Sequence, residues 1–332
     1  MTDDDRPGEF ELIERYLAPL ATDKGAAGLK DDAAIVHPNT RTDIVLTKDA
    51  LAAGVHFFLD DPAGTIAAKA LRVNLSDLAA KGADAFGYLM ALALPADWTE
   101  EWLAAFVEGL AADQARYGVT LLGGDTLKAS GGLTVSITAL GRLPEGAIVR
   151  RSGARPGDRL FVTGTIGDAA LGLALRLEPE LADRWRLSAE AQAHLADRYL
   201  LPQPRTAAAR AVRTHAHAAL DVSDGLCGDM KRMAKASGVA MRVDAQRIPL
   251  SSAVATAVAM EPEALGRALR GGDDYEIVAA VPAADAESFV AEIRDAGLAV
   301  EEIGVVEEGA GVRIDGRDGE PLDLGAGAFH HF

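Results

Sequence analysis

Short apolar segments that run into an acidic residue and then into a helical pattern recur along this chain, and they constrain its fold more than any other feature. A buried strand followed by a carboxylate among small residues and then a helix predicts an α/β or α+β protein, not a bundle or a sandwich. In the first half, Ile44–Thr47 reads as a strand running into Lys48-Asp49, and Thr65–Lys81 as a helix. Tyr88–Leu94 is apolar enough for a buried strand, and Val119–Leu122 makes a short strand ending at Gly123-Gly124-Asp125. Thr99 is placed to cap a helix reaching Tyr117. Leu133, Val135, Ile137 and Ala139 alternate with Thr134, Ser136 and Thr138, the period of a half-buried strand. Residues 9–20 carry apolar side chains at helical spacing, and Ala33–Val36 reads as a short strand after Asp31-Asp32.

The pattern breaks at 144–158, PEGAIVRRSGARPGD, where Pro, Gly and Arg cluster. That break divides the chain into domains at 1–148 and 149–332. Beyond it, Leu160–Thr163 is a strand feeding Gly164-Thr165-Ile166-Gly167 and a helix, with further helical stretches near 188–199 and 205–215. Ala218–Val222 precedes a helix from Gly225 to Ser237, and Met241–Val243 is strand-like. Ile277–Val281 is a strand, Ala284–Ala296 a helix, and Glu301–Val306 the last major strand.

Lys and Arg number 33 against 50 Asp and Glu, a formal net charge of −17. A surface this acidic repels a phosphate backbone, which argues against nucleic acid as a partner. No apolar run approaches the roughly 18–20 residues of a membrane span. The opening MTDDDRPGEFELIERYL is acidic where a signal peptide is basic and then apolar. The single cysteine, Cys227, excludes an intrachain disulfide and fits a reducing cytoplasm.

The residues that carry chemistry are acids at element ends: Asp31-Asp32, Asp49, Asp77, Asp125, Asp221, Asp224 and Asp273-Asp274. Taken singly, an Asp before a helix is more often an N-cap than a ligand. Taken together, beside glycines and at strand ends, these acids are expected to face a shared cleft. Converging carboxylates repel unless they are protonated or bridged by cations. Hard oxygen ligands without a His/Cys cluster point to magnesium, which typically joins carboxylates to substrate phosphates. Asp229 and Asp244 read as a solvated face or a cap. No GxxxxGK[ST] supports a P-loop. GTIGDAALG at 164–172 offers backbone N–H groups but not the GxGxxG spacing, so a tight turn is the better reading. His215 and His217 read as surface residues, and Cys227 as a small, partly buried side chain. Arg150-Arg151 suit either a nucleotide phosphate or ordinary linker charge. His56, seven residues after Asp49, is placed to reach a phosphate or a ring.

GEFELIERYLAPL, KDDAAIV, DALAAGVHF, NLSDLAAKGAD, GGDT, RRSGARPGD, DVSDGL and GGDDYE stand in this order from Gly8 onward. In that order and spacing the chain resembles the thiamine-monophosphate kinase family, within the superfamily of aminoimidazole ribonucleotide synthetase. The combination carries the resemblance, whereas NLSD or GGD alone would not. It implies a two-domain α/β (α+β) fold, with an N-terminal mixed sheet forming a dimer barrel and a C-terminal α/β domain. It implies magnesium-dependent transfer of the ATP γ-phosphoryl group to thiamine monophosphate, in a cytoplasmic homodimer. Position by position, Asp32, Thr47, Asp49, Asp77, Asp125, Asp221 and Asp224 would hold magnesium, with Asp49, Asp77 and Asp125 central to catalysis. Gly124, Asp125, Arg151 and Ser223 would contact ATP, and His56, Asp273 and Phe329 thiamine monophosphate. The chain departs from the family pattern at Lys30 and Lys48, and at Asp273 where Glu is usual. An ammonium at Lys48 is expected to alter the number of magnesium ions. An aminoimidazole ribonucleotide synthetase-like enzyme and a non-catalytic nucleotide- or metal-binding homologue are the alternatives.

Overall fold

The structure is a computed structural model and describes residues 7–30, 33–317 and 319–322. It divides into two units, one of Met1–Leu78 with Asp84–Gly146 and one of Ala79–Ala83 with Ala147–Phe332.

In the first unit, residues 9–20 are helical but irregular: Glu9–Leu12 is α, Ile13–Leu17 is π and Ala18–Leu20 is 3-10. Pro19 lies in the last turn and has no N–H to donate, so a regular α ladder cannot run through it. The strand expected at Ala33–Val36 does not form; the Ile35 N–H bonds back to the Gly25 carbonyl at 2.9 Å and holds the segment as a loop. Four strands, β1 (Thr42–Ala52), β2 (Asp84–Leu94), β3 (Thr120–Lys128) and β4 (Thr134–Pro144), form a sheet of order β1-β4-β2-β3. The β1/β4 and β4/β2 pairs are antiparallel, and β2/β3 is parallel. The Glu100–Tyr117 helix makes the crossover between β2 and β3 that a parallel pair requires. Thr99 caps it as expected, its hydroxyl accepting the Trp102 N–H at 3.1 Å, and Gly118 ends it in the left-handed region.

One sheet face is packed and the other is open. Val135, Ile137, Ala139 and Leu143 of β4 are buried, while Ser136, Thr138 and Leu140 between them are half-exposed. The Ala63–Ala80 helix is buried on nearly every side, so its polar residues turn to partners inside the protein, with the Ser76 hydroxyl, buried without one, as an exception. Arg72, for example, holds Asp113 through two bonds of 2.7 Å.

The second unit carries β5 (Arg159–Thr163), β6 (Ala218–Asp221), β7 (Ala240–Asp244), β8 (Ile277–Val281), β9 (Val300–Glu307) and β10 (Gly311–Asp315). They form a sheet of order β10-β7-β9-β5-β8-β6, antiparallel except for β10/β7. Every residue of β8 is buried, because helices cover both faces. Met230 and Met233 of the Leu226–Ser237 helix share a core with Leu160 and Val278. On the opposite face, Phe289 and Ile293 of the Ala286–Asp295 helix share one with Phe161 and Ala279. The Asp168–Leu177 and Ala189–Leu200 helices pack around Trp185. Two further helices, Ser252–Met260 and Ala264–Arg270, and the edge strand β10 complete this unit and are not anticipated by the sequence pattern. No described helix is long and apolar enough to cross a membrane.

Candidate active site

Alternation along β1 sorts its side chains. Thr47, Asp49 and Leu51 share one face, and Leu46, Lys48 and Ala50 project from the other, exposed. The strand therefore does not stop at the acid motif. It runs through it, with Asp49 opposite Ile137 of β4. The Thr47 hydroxyl donates to Asp77 Oδ2 at 2.5 Å. The Asp49 N–H donates to Asn74 Oδ1 at 3.0 Å, and Asn74 is fixed in turn by its amide bond to the Ala70 carbonyl at 3.0 Å. Asn74 and Asp77 stand three residues apart on the 63–80 helix and so present to one side. Asp49 and Asp77 are half-buried. This corner joins a hydroxyl and two carboxylates, all hard oxygen donors, on two rigid elements.

Lys48 lies on the other face of β1, and its ammonium donates to the Ser136 hydroxyl on β4. It does not share the face of Thr47 and Asp49, which removes the basis for expecting its charge to replace a metal ion.

β3 also runs through its acid motif, with Gly124 opposite Met90 and Asp125 opposite Ala91. Gly124 is required there, because a Cβ would lie 1.9 Å from the Met90 carbonyl oxygen. Gly124 and Asp125 are exposed and border a cleft of about 670 Å³ that Ile13, Leu17, Leu29 and Leu122 also line. His56 sits in a tight turn after β1, where Gly54 adopts φ +77°. The Ala52 N–H donates to His56 Nδ1 at 3.1 Å.

In the second unit, Asp221 ends β6, buried, and Ser223 and Asp224 follow in the loop before the 226–237 helix. Asp229 fixes that loop: its Oδ2 accepts the Ser223 N–H at 3.0 Å and the Asp224 N–H at 2.9 Å. It acts as a cap, but as a buried one. Burial pushes its carboxyl up to about 6, against the pull of the Asp224 N–H. Arg232 bridges Asp224 at 2.7 Å and Asp229 at 2.6 Å. Asp244 caps the Gln246 N–H at 2.9 Å, as expected.

The 271–276 segment lies against this loop. The Asp273 N–H donates to the Ser223 carbonyl at 2.9 Å, and the Tyr275 N–H to the Val222 carbonyl at 2.8 Å. Asp273 (φ +69°) and Tyr275 (φ +50°) both hold left-handed backbone, a strained conformation for side chains of these types. Asp274 points inward and accepts the Gly167 N–H at 2.8 Å through Oδ2, while Oδ1 is buried without a hydrogen-bond partner. Burial raises its carboxyl well above the usual range; the Gly167 N–H opposes this, and the nearby Asp168 and Glu276 add to it. Glu276 is held by Thr163 at 2.8 Å, Arg198 at 2.8 Å and Arg205. Asp168 is held by Ser251, Thr165 and His194. Sequence reasoning missed Asn74, which accepts the Asp49 N–H, and Asp168 and Glu276, which flank Asp274. Only Asn74 carried a signal, its spacing from Asp77.

Arg151 is exposed on the 150–158 segment. Ser237 Oγ pins that segment, accepting from the Gly153 N–H at 3.2 Å and donating to the Arg151 carbonyl at 3.3 Å. The expected metal ligand Asp32 and the expected substrate contact Phe329 lie outside the described residues. Among the described residues no three His, Cys, Asp or Glu side chains form a ready-made metal cage. The hydroxyl of Thr47 and the carboxylates of Asp49 and Asp77 are the donor type that fits magnesium, which takes one or two carboxylates and completes its shell with water and substrate phosphates.

Residues 30–143 match the family described as AIR synthase related protein, N-terminal domain, and residues 155–317 match its C-terminal domain. The chain is 45% identical over 325 residues to a thiamine-monophosphate kinase of Caulobacter vibrioides, covering 96% of this chain and 90% of the relative. The crystal structure of a thiamine-monophosphate kinase from Stenotrophomonas maltophilia K279a superposes with a TM-score of 0.83 at 38% identity, covering 95% of this chain and 98% of that one. A structure of AaThiL complexed with AMPPCP and TMP superposes with a TM-score of 0.76 at 30% identity, covering 98% and 97%. Both halves and nearly the whole length thus agree, and the chain belongs to the thiamine-monophosphate kinase family of the AIR synthase related proteins.

Proposed function

We propose that this chain transfers the γ-phosphoryl group of ATP to thiamine monophosphate, giving thiamine diphosphate and ADP. The observation that carries the reading is the Thr47–Asp77 pair beside the clamped Asp49, on a chain with full-length kinase relatives. AMPPCP, bound with TMP in the AaThiL complex, is an ATP analogue, which supports ATP as the co-substrate.

Magnesium would be held by Thr47, Asp49, Asp77 and Asp125 with Asp32 in the first unit, and by Asp221 and Asp224 in the second. When bound it neutralises phosphate charge and orients the phosphates for in-line transfer. The residues of the chain do the rest. Asn74 fixes the backbone at Asp49, and the Thr47 hydroxyl fixes the Asp77 carboxylate, so that carboxylate need not reorganise during the reaction. Gly124, Asp125, Arg151 and Ser223 contact ATP in this reading, and His56, Asp273 and Phe329 contact thiamine monophosphate. Asp229 and Ser237 hold the loops that carry Ser223 and Arg151.

An acceptor phosphate oxygen bonds to the γ-phosphorus as the bond to the ADP oxygen breaks, and ADP leaves with that electron pair. A phosphate monoester has a second pKa of about 6, so the acceptor arrives as an anion. No general base is needed, and none is assigned. The exposed Leu46 (62%), Leu89 (41%) and Leu127 (47%) on strands of the first unit support a homodimer built on the open side of that sheet. The lone, buried Cys227, its thiol pushed up to about 11 by burial, fits a cytoplasmic enzyme.

Purified protein with ATP, magnesium and thiamine monophosphate should form thiamine diphosphate, followed by chromatography. Unphosphorylated thiamine in a parallel reaction should give none. ATP binding without turnover would favour the non-catalytic alternative.

A further inference from the structure

One carboxylate does two jobs in the loop after β6. Asp229 Oδ2 accepts the Ser223 N–H at 3.0 Å and the Asp224 N–H at 2.9 Å, which fixes the main chain. Asp229 Oδ1 accepts from Arg232 Nη1 at 2.6 Å, and the same nitrogen pairs with Asp224 Oδ2 at 2.7 Å. Asp224 is therefore held twice from one point, its backbone directly and its carboxylate through Arg232. The point itself is firm: Asp229 is 3% exposed, and Met230 and Met233 of the same helix are buried in the core. The Asp224 side chain, 32% exposed, remains open to an ion.

A guanidinium beside a carboxylate read as a metal ligand looks out of place, because it takes up negative charge that a cation needs. Its charge is matched, however, by Asp229 at 2.6 Å, so the pair adds little net charge to the loop. What Arg232 changes is the number of oxygens that Asp224 can offer. Oδ2 is committed to the guanidinium, which leaves Oδ1. An ion at about 2.4 Å from Oδ2 would stand within about 5 Å of the Arg232 nitrogen, and like charges at that range repel. Asp224 is thus set up to bind through one oxygen.

That restriction falls unequally on the common divalent ions. Magnesium demands near-octahedral angles, for which the bite of a two-oxygen carboxylate is too narrow, so one oxygen is what it takes. Calcium accepts roughly six to eight oxygens and often grips a carboxylate with both. A one-oxygen Asp224 costs magnesium nothing and denies calcium a bond. An outer partner of this kind orients a metal ligand without touching the metal.

We propose that Arg232 is a specificity-determining residue, which commits Oδ2 of Asp224 and so makes that carboxylate a one-oxygen ligand that favours magnesium over calcium. It acts through Asp224 and is a positioning residue. The inference rests on the reading of Asp224 as a magnesium ligand, and the test separates the two.

Mn2+ alone is bound to the full chain without nucleotide, followed by its paramagnetic resonance signal, and displaced by Mg2+ or Ca2+ in separate titrations. The ratio of calcium to magnesium affinity is the readout. Both ions are divalent, so a change in net charge moves the two alike and cancels. Arg232→Met removes the donor at similar length and should shift the ratio toward calcium roughly tenfold. Lys231→Gln, which removes a charge from the exposed neighbour, should leave the ratio within about twofold. Added to Asp224→Asn, Arg232→Met should shift the ratio no further. An unchanged ratio in Arg232→Met, or the same shift without the Asp224 carboxylate, would overturn the inference. A chain that holds no Mn2+, or holds it equally well as Asp224→Asn, would take down the ligand reading and the inference together. The expected shift in a chain that makes no thiamine diphosphate would sink the kinase reading alone. Should Arg232→Met not fold, Arg232→Gln, whose amide nitrogen reaches only the place of Nε, is judged by the same ratio.

Discussion

Asp77 is where a single atom matters most. Asparagine keeps an oxygen that can accept the Thr47 hydroxyl but loses the negative charge that a divalent cation needs. Asp77→Asn should therefore lower kcat by about 10³-fold or more at saturating magnesium, with an unfolding temperature close to that of the parent. Near-normal turnover would show that the carboxylate is dispensable. Asp274 poses a different question, because its Oδ1 is buried without a partner beside Asp168 and Glu276. Its carboxyl is raised in the folded state, mainly by burial, so it favours folding fully below the unfolded value of about 3.8 and progressively less as pH rises through the folded value. Asp274→Asn removes that dependence and offers an amide to the neighbouring carboxylates. The variant should unfold at a higher temperature than the parent, by a margin that widens from pH 5 to pH 8. A margin that is constant with pH would mean that Asp274 is not the titrating group. In the sequence, Asp274 looked like one half of an acidic pair. Nothing local distinguishes it from Asp273, because what separates them is the left-handed backbone at 273 and 275, set by pairing with residues fifty positions away.

At the level of elements, type was legible and extent was not. The sequence pattern located β8 to the residue and the Thr99 cap correctly, since both depend on local chemistry. It ended β1 and β3 at their acid motifs, whereas both strands continue through them. The reason is pairing: β4 carries β1 as far as Ala52, and β2 carries β3 as far as Lys128. A partner strand can hold Lys48-Asp49 or Gly-Gly-Asp in extended form despite their weak β propensity. The practical result is that Asp49 and Asp125 are mounted on sheet rather than on loops. Gly124 makes that possible on β3, and Gly124→Ala should be damaging. The new methyl must displace the Met90 carbonyl and with it the β2–β3 ladder. We expect a loss of about 2–3 kcal/mol in stability together with weakened ATP binding, read by denaturant unfolding and calorimetry. A variant that binds ATP normally would show that the close approach is not needed.

On the scale of the whole molecule, the charge of −17 is at odds with two anionic substrates unless cations intervene. Stripping divalent metal with a chelator should therefore abolish ATP binding in calorimetry, and added magnesium should restore it. Tight ATP binding without metal would remove the bridging role given to the carboxylates. The acids also differ in kind: Asp229, Asp168 and Glu276 are buried supports with partners of their own, and Asp244 is a surface cap. The sequence could not separate supports from ligands, because burial comes from the packing of helices far apart in the chain.

The alternation of β1 has a consequence for how such a chain can change. Eleven consecutive residues write two messages in alternate letters, one toward the corner of Thr47, Asp49 and Asp77 and one toward the open side of the sheet. A deletion or insertion of a single residue here would exchange the two texts wholesale. Point substitutions, by contrast, can revise one message without touching the other. Lys48 is a visible instance: it departs from the family pattern, yet the lettering on the Thr47–Asp49 side is undisturbed. Tolerance to substitution along this strand should accordingly rise and fall with a period of two, with different properties failing at the odd and even positions.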